Sequence, residues 1–256
     1  MLTTRTPDTW QDLQNEVGRI LAECGFVVQI EHPLPLARGQ ADIDVYAEEN
    51  INGRRYVLLC ECKFWKAAIP QAVIHSFRTV TTDAGANVGY IISLNGFQAG
   101  ALQAVEQTNI KLVKWDAFLA EFEATWLSAY FVPTVTDELD PLMTYVEPLA
   151  PAWWGNLTEG DQAAYMQAHG RHGSLGYLAM SMSRWTRMLD NRKLPDLPLR
   201  ANEEAARVDG LPEDILDAVG YRELLEAMLL HGRAAIAEFR VFRDKAVTAE
   251  ARVGSE

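Results

Sequence analysis

Apolar residues recur along the first half of the chain with two different periods. Trp10, Leu13, Val17, Ile20, Leu21 and Cys24 follow helical spacing. Thr6-Pro7-Asp8 before them reads as a cap, a first-turn proline and an acid at the positive helix end, and Gly25 as a stop. Phe26–Ile30, Ala41–Ala47 and Tyr56–Lys63 read as strands, with the hairpin dipeptide Asn52-Gly53 between the last two. Pro70 opens a helix with Val73, Phe77 and Val80 on its apolar side and Gln71, His75 and Arg78 on its polar side. Val88–Ser93 is a short apolar strand, Phe97–Gln107 a helix and Ile110–Trp115 a strand, and Asp116 caps a helix running to about Trp126. Strands interleaved with helices in this order predict an α/β fold, a mixed sheet with helices packed on it.

The second half reads as mostly helical. Pro133, Pro141, Pro148 and Pro151 mark residues 131–155 as a linker or wrapping segment. Thr158-Glu159-Gly160-Asp161 predicts a helix start and Gly170 its stop. Leu175, Leu178, Met182, Trp185, Met188 and Leu189 keep helical spacing, and the stretch with Pro195 and Pro198 is a loop. A final helix from Tyr221 extends to Lys245, with a frayed tail after Thr248. Trp153-Trp154 is expected to pack against the first domain, the alternative being an aromatic patch for a partner. The expected division is 1–130, 131–155 and 156–256, the last a helical domain for DNA binding, oligomerisation or sensing.

The chemistry lies on the second and third strands. Side chains alternate between the faces of a strand, so Asp42 and Asp44 are expected on one face, and Glu61 and Lys63 on one face with Leu59. A hairpin aligning those faces brings carboxylates and an ammonium to one sheet edge. Hard divalent cations take oxygen ligands, Mg²⁺ often one or two carboxylates completed by water and phosphate oxygens. Such an ion acidifies a bound water and neutralises phosphate charge.

This placement resembles the PD-(D/E)XK nuclease superfamily, and within it the Mrr-like restriction endonuclease domains, over roughly residues 8 to 126. The resemblance rests on Cys24-Gly25-Phe26, Ala41-Asp42-Ile43-Asp44-Val45, Glu61-Cys62-Lys63, Tyr90-Ile91-Ile92-Ser93 with Asn95-Gly96-Phe97-Gln98, and the apolar Ala101–Ala104 helix. It implies a restriction-endonuclease-like core in αβββαβ order. It also implies that Asp44 and Glu61 are metal-binding acids, that the Cys62 carbonyl is an additional ligand to Mg²⁺ or Mn²⁺, and that Lys63 orients the attacking water and steadies the phosphate. Where the family often carries a glutamate on the first helix, this chain has Gln14, with Glu16 rotated about 200° away. The family's polar residue on the following helix corresponds to Gln71 or His75.

Charge and cysteine content narrow the setting. A net charge of −12 argues against indiscriminate nucleic-acid binding. From Arg171 to Arg200 the local balance is instead positive, and Arg184, Arg187, Arg192 and Lys193 are the expected DNA-facing patch. Cys24, Cys60 and Cys62 fall on apolar faces, and Cys60-x-Cys62 lacks the further ligands of a zinc site. Core thiols, no signal-peptide core and no long apolar run lead to the expectation of a cytoplasmic, non-membrane protein. The expected function is a metal-dependent DNA endonuclease of restriction or phage defence, acting as a homo-oligomer or with a defence partner. The alternatives are a repair or RNA-directed nuclease, and a non-catalytic nuclease-fold module for binding or assembly.

Overall fold

The computed structural model describes residues 1–36, 39–189, 193–201 and 209–253. The chain forms two compact units, one of Arg5–Ala129 and one of Met1–Thr4 with Tyr130–Glu256.

The Arg5–Ala129 unit is a mixed five-stranded sheet flanked by helices, the architecture expected from the interleaved pattern. Helix α1 (Trp10–Glu23) begins later than Thr6 because Thr9 is the cap, its hydroxyl accepting from Asp12 N–H. Strand β1 (Val27–Leu36) runs past Ile30 through Pro33 and Pro35. It lies at the sheet edge, where a residue without an N–H does not break a two-sided ladder. Strands β2 (Gly39–Ile51) and β3 (Arg54–Lys63) form the hairpin. Asn52 and Gly53 both have positive φ, 51° and 77°, as a two-residue type I′ turn requires.

Helix α2 (Gln71–Asp83), strand β4 (Val88–Ser93), helix α3 (Ala99–Ala104), strand β5 (Ile110–Lys114) and helix α4 (Trp115–Trp126) follow. Helix α3 is shorter than predicted, because Phe97 bridges to Ile69 and Gln98 becomes the cap. Trp115 belongs to α4 rather than β5, so Asp116 lies in the first turn instead of capping it.

The strand order is β1-β2-β3-β4-β5, antiparallel among the first three and parallel among the last three. This makes β3 the central strand. Leu59 and Ile91 join Ile74 and Phe77 of α2 in one buried cluster. On the other face Tyr90 meets Phe118 and Phe122 of α4. Burying one such side chain contributes about 1.5–3 kcal/mol, so the charged end of β3 is mounted on a rigid base.

The second unit corrects three expectations. A π-helical turn (Leu127–Phe131) leads into α5 (Val132–Tyr145), a helix where a linker was expected. Pro133 occupies its first turn, where a missing N–H costs nothing. Pro141 is tolerated inside because Val132, Val135, Leu139, Leu142 and Met143 bury one side of the helix. Helix α6 (Glu159–Met182) starts at the Thr158 cap but does not stop at Gly170. Its Gly176 lies so close to Val146 that an added Cβ would stand 2.3 Å from a valine methyl. After α7 (Arg184–Leu189) and α8 (Glu213–Leu216), helix α9 (Tyr221–Val253) extends beyond the expected fraying point.

Trp153 and Trp154 pack edge-on against Tyr165 of α6, within this unit. Burial pushes the Tyr165 phenol up to about 12. Residues 1–4 close the N-terminus of α9. Tyr221 and Arg222 N–H donate to the carbonyls of Met1 and Leu2, and the Glu223 carboxylate accepts from Thr3 and Thr4.

Candidate active site

The ladder between β2 and β3 extends from the turn to the pair Val45↔Cys60. Past that pair a side chain takes over: Cys62 N–H donates to Asp44 Oδ2 at 2.7 Å. On the other side of β2 the register passes from Ile30↔Val45 to His32↔Ile43, and Glu31 between them has φ 52°. Strict alternation is interrupted here. Ile43 packs in the same cluster as Tyr46, three residues away, where period two would put it on the opposite face. Asp42 and Asp44 nonetheless line one cavity together, with Ile43 between them.

On β3 the alternation persists. Glu61 and Lys63 follow Leu59, and Lys63 Nζ donates to Glu61 Oε1. Both side chains are about one-fifth exposed, 21% and 18%. Burial raises the Glu61 carboxyl above its ordinary range, the Asp44 charge raises it further, and Lys63 opposes both. Two acids thus repel each other where one ammonium only partly compensates. Burial also raises the Cys60 and Cys62 thiols, which disfavours the thiolates needed of a nucleophile or a zinc ligand.

Adjoining cavities surround these groups. One of about 330 Å³ is lined by Asp42, Glu61, Lys63 and Trp65 with Val73, Ser76 and Phe77 of α2. A second, about 320 Å³, is lined by Trp10, Gln14, Asp44, Cys62, Lys63 and Trp65. A third, about 400 Å³, carries Trp10, Gln14, Glu31, Asp42 and Asp44. Each shares lining residues with the other two, and the three around β2 and β3 are together termed the trough.

Gln14, 6% exposed, stands in this trough beside Asp44. Glu16 does not line it: its carboxylate is held by Arg5 at 2.8 Å, with Arg19 at 3.6 Å. Gln71 points elsewhere, its Oε1 3.2 Å from where a Cβ on Gly100 would sit. His75 is exposed. Ser76 and Phe77 are the α2 residues lining the trough, together with Val73 and Val80. Sequence reasoning did not single out Trp10, Trp65 or Ser76 for this site. The spacing of Trp10 and Gln14, one helical turn apart, was the available signal for one of them.

A hard divalent cation fits the donor set. The two carboxylates carry more negative charge than Lys63 offsets, and oxygen is the ligand such cations require. Among the described residues no group of three or more His, Cys, Asp or Glu side chains is placed to hold a metal. At most two of these carboxylates then act together, within what Mg²⁺ uses when water and phosphate complete its shell.

The expected DNA-facing patch belongs to the other unit. Arg184 is paired with Asp137, and its guanidinium lies 5.3 Å from the centre of the Trp185 ring. Arg187 is in the last turn of α7, Lys193 is exposed, and Arg192 lies outside the described residues. Among the described residues, no helix is long and apolar enough to cross a membrane.

Residues 8–121 match the family model for restriction endonuclease, Mrr_cat, the segment and family of the resemblance. No curated protein matches. Among solved structures, a crystallised protein of unknown function, AF1548, is similar at 22% identity and TM-score 0.38, over 52% of this chain and 77% of its own. The MspJI restriction endonuclease, solved with a 27-mer oligonucleotide, is similar at 15% identity and TM-score 0.29, over 45% of this chain and 27% of its own.

Proposed function

We propose, from the premise that residues 8–121 are a restriction endonuclease domain of the Mrr_cat family, that this protein is a metal-dependent DNA endonuclease serving restriction or phage defence. One observation carries the reading: the Asp44 carboxylate accepts from Cys62 N–H in the middle of Glu61-Cys62-Lys63, with Glu61 and Lys63 bonded to each other beside it. That bond ties the acid of one strand to the reactive end of the next.

Asp44, Glu61 and the Cys62 carbonyl would hold Mg²⁺ or Mn²⁺. The ion, when bound, supplies a more acidic water and neutralises phosphate charge. Lys63 supplies a localised positive charge where negative charge develops on phosphorus oxygens. Its role is to steady the phosphate and position water. Gln14, neutral and buried beside Asp44, adds a hydrogen-bonding group without charge.

The test is cleavage of plasmid, single-stranded DNA and RNA, with Mg²⁺, Mn²⁺ or chelator, by the wild type and Lys63→Ala. The reading expects metal-dependent cleavage of DNA, abolished in the variant, with the fold and most DNA binding intact. Full activity in the variant would remove Lys63 from the chemistry, and cleavage of RNA alone would overturn the DNA assignment.

A further inference from the structure

Two tryptophans that the proposed chemistry does not use frame the trough. Trp10 is 49% exposed and Trp65 is 44% exposed, against a core in which Trp126 is fully buried. Both line the cavity that contains Asp44, Gln14 and Lys63. Trp10 begins α1 one turn before Gln14, and Trp65 follows Lys63 by two residues, its carbonyl accepting from Asn95 Nδ2 at 2.6 Å. Lys63 Nζ stands 5.8 Å from the Trp65 ring centre.

Two half-exposed indoles beside the site offer flat apolar faces to a ligand. The charge around them narrows what that ligand is. In the cavity that both indoles line, Asp44 faces Lys63, and Asp42, Glu61 and Glu31 line the adjoining ones, so no surplus of positive charge draws a phosphate backbone there. A nucleobase offers an uncharged π-face that stacks on an indole whatever its sequence. In an intact duplex both faces of a base are already stacked. Only a strand with unpaired bases can present one beside the phosphate to be cut.

We propose that Trp10 and Trp65 are stacking residues for unpaired bases flanking the scissile phosphate, and that the preferred substrate is therefore single-stranded or locally unpaired DNA. This rests on the nuclease reading for the identity of the scissile phosphate, but the stacking is measurable by binding alone.

The experiment uses the full chain in chelator, with labelled oligonucleotides of one sequence as single strand, blunt duplex and splayed fork. Wild type should bind the single strand and fork more tightly than the duplex. Stacking typically contributes about 1–3 kcal/mol per base, so Trp10→Ala and Trp65→Ala should each weaken single-strand and fork binding by roughly 5- to 150-fold. Duplex binding should change less than about twofold, a threshold set well below the smallest stacking effect. Trp→Phe at either site should keep much of the affinity, since a π-face remains, and far-ultraviolet circular dichroism confirms that each variant is folded. The stacking contribution should persist at high salt, unlike phosphate contacts. Equal losses on duplex and single strand, or none on either, would overturn the proposal. Its failure is distinguishable from that of the nuclease reading. If metal restores no cleavage of any substrate while the stacking losses appear, the site binds unpaired DNA without cutting it. Duplex cleavage indifferent to both tryptophans would leave the nuclease reading and remove this one.

Discussion

Asp44→Asn separates the structural role of Asp44 from its chemical one. The asparagine carbonyl can still accept from Cys62 N–H, but the negative charge is gone. A hydrogen bond to a charged acceptor contributes about 1.5–3 kcal/mol and a neutral one about 0.5–1.5 kcal/mol, so the substitution costs about 1 kcal/mol. Part of that is returned, because the Asp44 charge opposes ionisation of Glu61. Asp44→Ala instead leaves the amide of buried Cys62 without its acceptor, a cost of about 1–3 kcal/mol. At about 2–4 °C per kcal/mol, the asparagine variant should melt no more than about 4 °C below wild type, and the alanine variant lower still. Cleavage should behave differently. Loss of one group that stabilises transition-state charge typically costs about 10²–10³-fold, so both variants should fall at least that far. Thermal melts with and without Mn²⁺, beside cleavage rates, check this, and Mn²⁺ should stabilise wild type but neither variant. Asp42→Asn is the control, since Asp42 shares a cavity with Glu61. Asp44→Asn cleaving within about tenfold of wild type, well short of the loss expected from a reacting group, while Asp42→Asn is dead would refute the choice of acid. Asp44→Ala melting like wild type would refute the structural role.

Further expectations concern the second unit. Changing Arg184, Arg187, Arg192 and Lys193 to Ala should weaken DNA binding across sequences and flatten its salt dependence. The exposed Arg184–Asp137 pair is weak enough to be exchanged for a phosphate, and an unchanged salt slope would identify the patch as ordinary surface. Gly176→Ala should destabilise by about 1–3 kcal/mol through overpacking against Val146. Gly170→Ala, with nothing within 4 Å of the added Cβ, should stabilise by about 0.5–1 kcal/mol, and denaturant melts of the two compare them directly. Burial alone would raise the Glu223 carboxyl, but its hydrogen bonds from Thr3 and Thr4 prevail and hold it below the ordinary glutamate range. Its stabilising effect is therefore present above that range and lost as pH falls through the lowered value. Glu223→Gln should blunt that acid loss in melts taken between neutral and acid pH.

The sheet was legible because its signals are local. Asn52-Gly53 fixes a turn by φ alone, and the apolar positions of β3 set the face on which Glu61 and Lys63 lie. The helix at 132–145 was not legible, because prolines that break an isolated helix are outweighed when Val135, Leu139 and Leu142 bury its other side. The continuation of α6 past Gly170 is a tertiary effect of the same kind. Asp44 was readable as an acid near Glu61, but its bond to the Cys62 amide depends on the ladder giving way after Val45↔Cys60, which no residue type announces. Trp10 and Trp65 resemble core tryptophans in sequence, and only their position beside the trough distinguishes them.

The closure of α9 by residues 1–4 has a consequence for dissecting the molecule. The Arg5–Ala129 unit lies in sequence between two stretches of the other unit, Met1–Thr4 and the stretch from Tyr130. A fragment ending near residue 129 would carry four residues made for another fold, with Leu2, fully buried in the whole protein, deprived of its cover. A fragment starting near 130 would leave the Tyr221 and Arg222 amides without the Met1 and Leu2 carbonyls. A faithful fragment of the Arg5–Ala129 unit begins at Arg5, and a faithful helical fragment needs the first four residues supplied back, as a joined segment or a separate peptide.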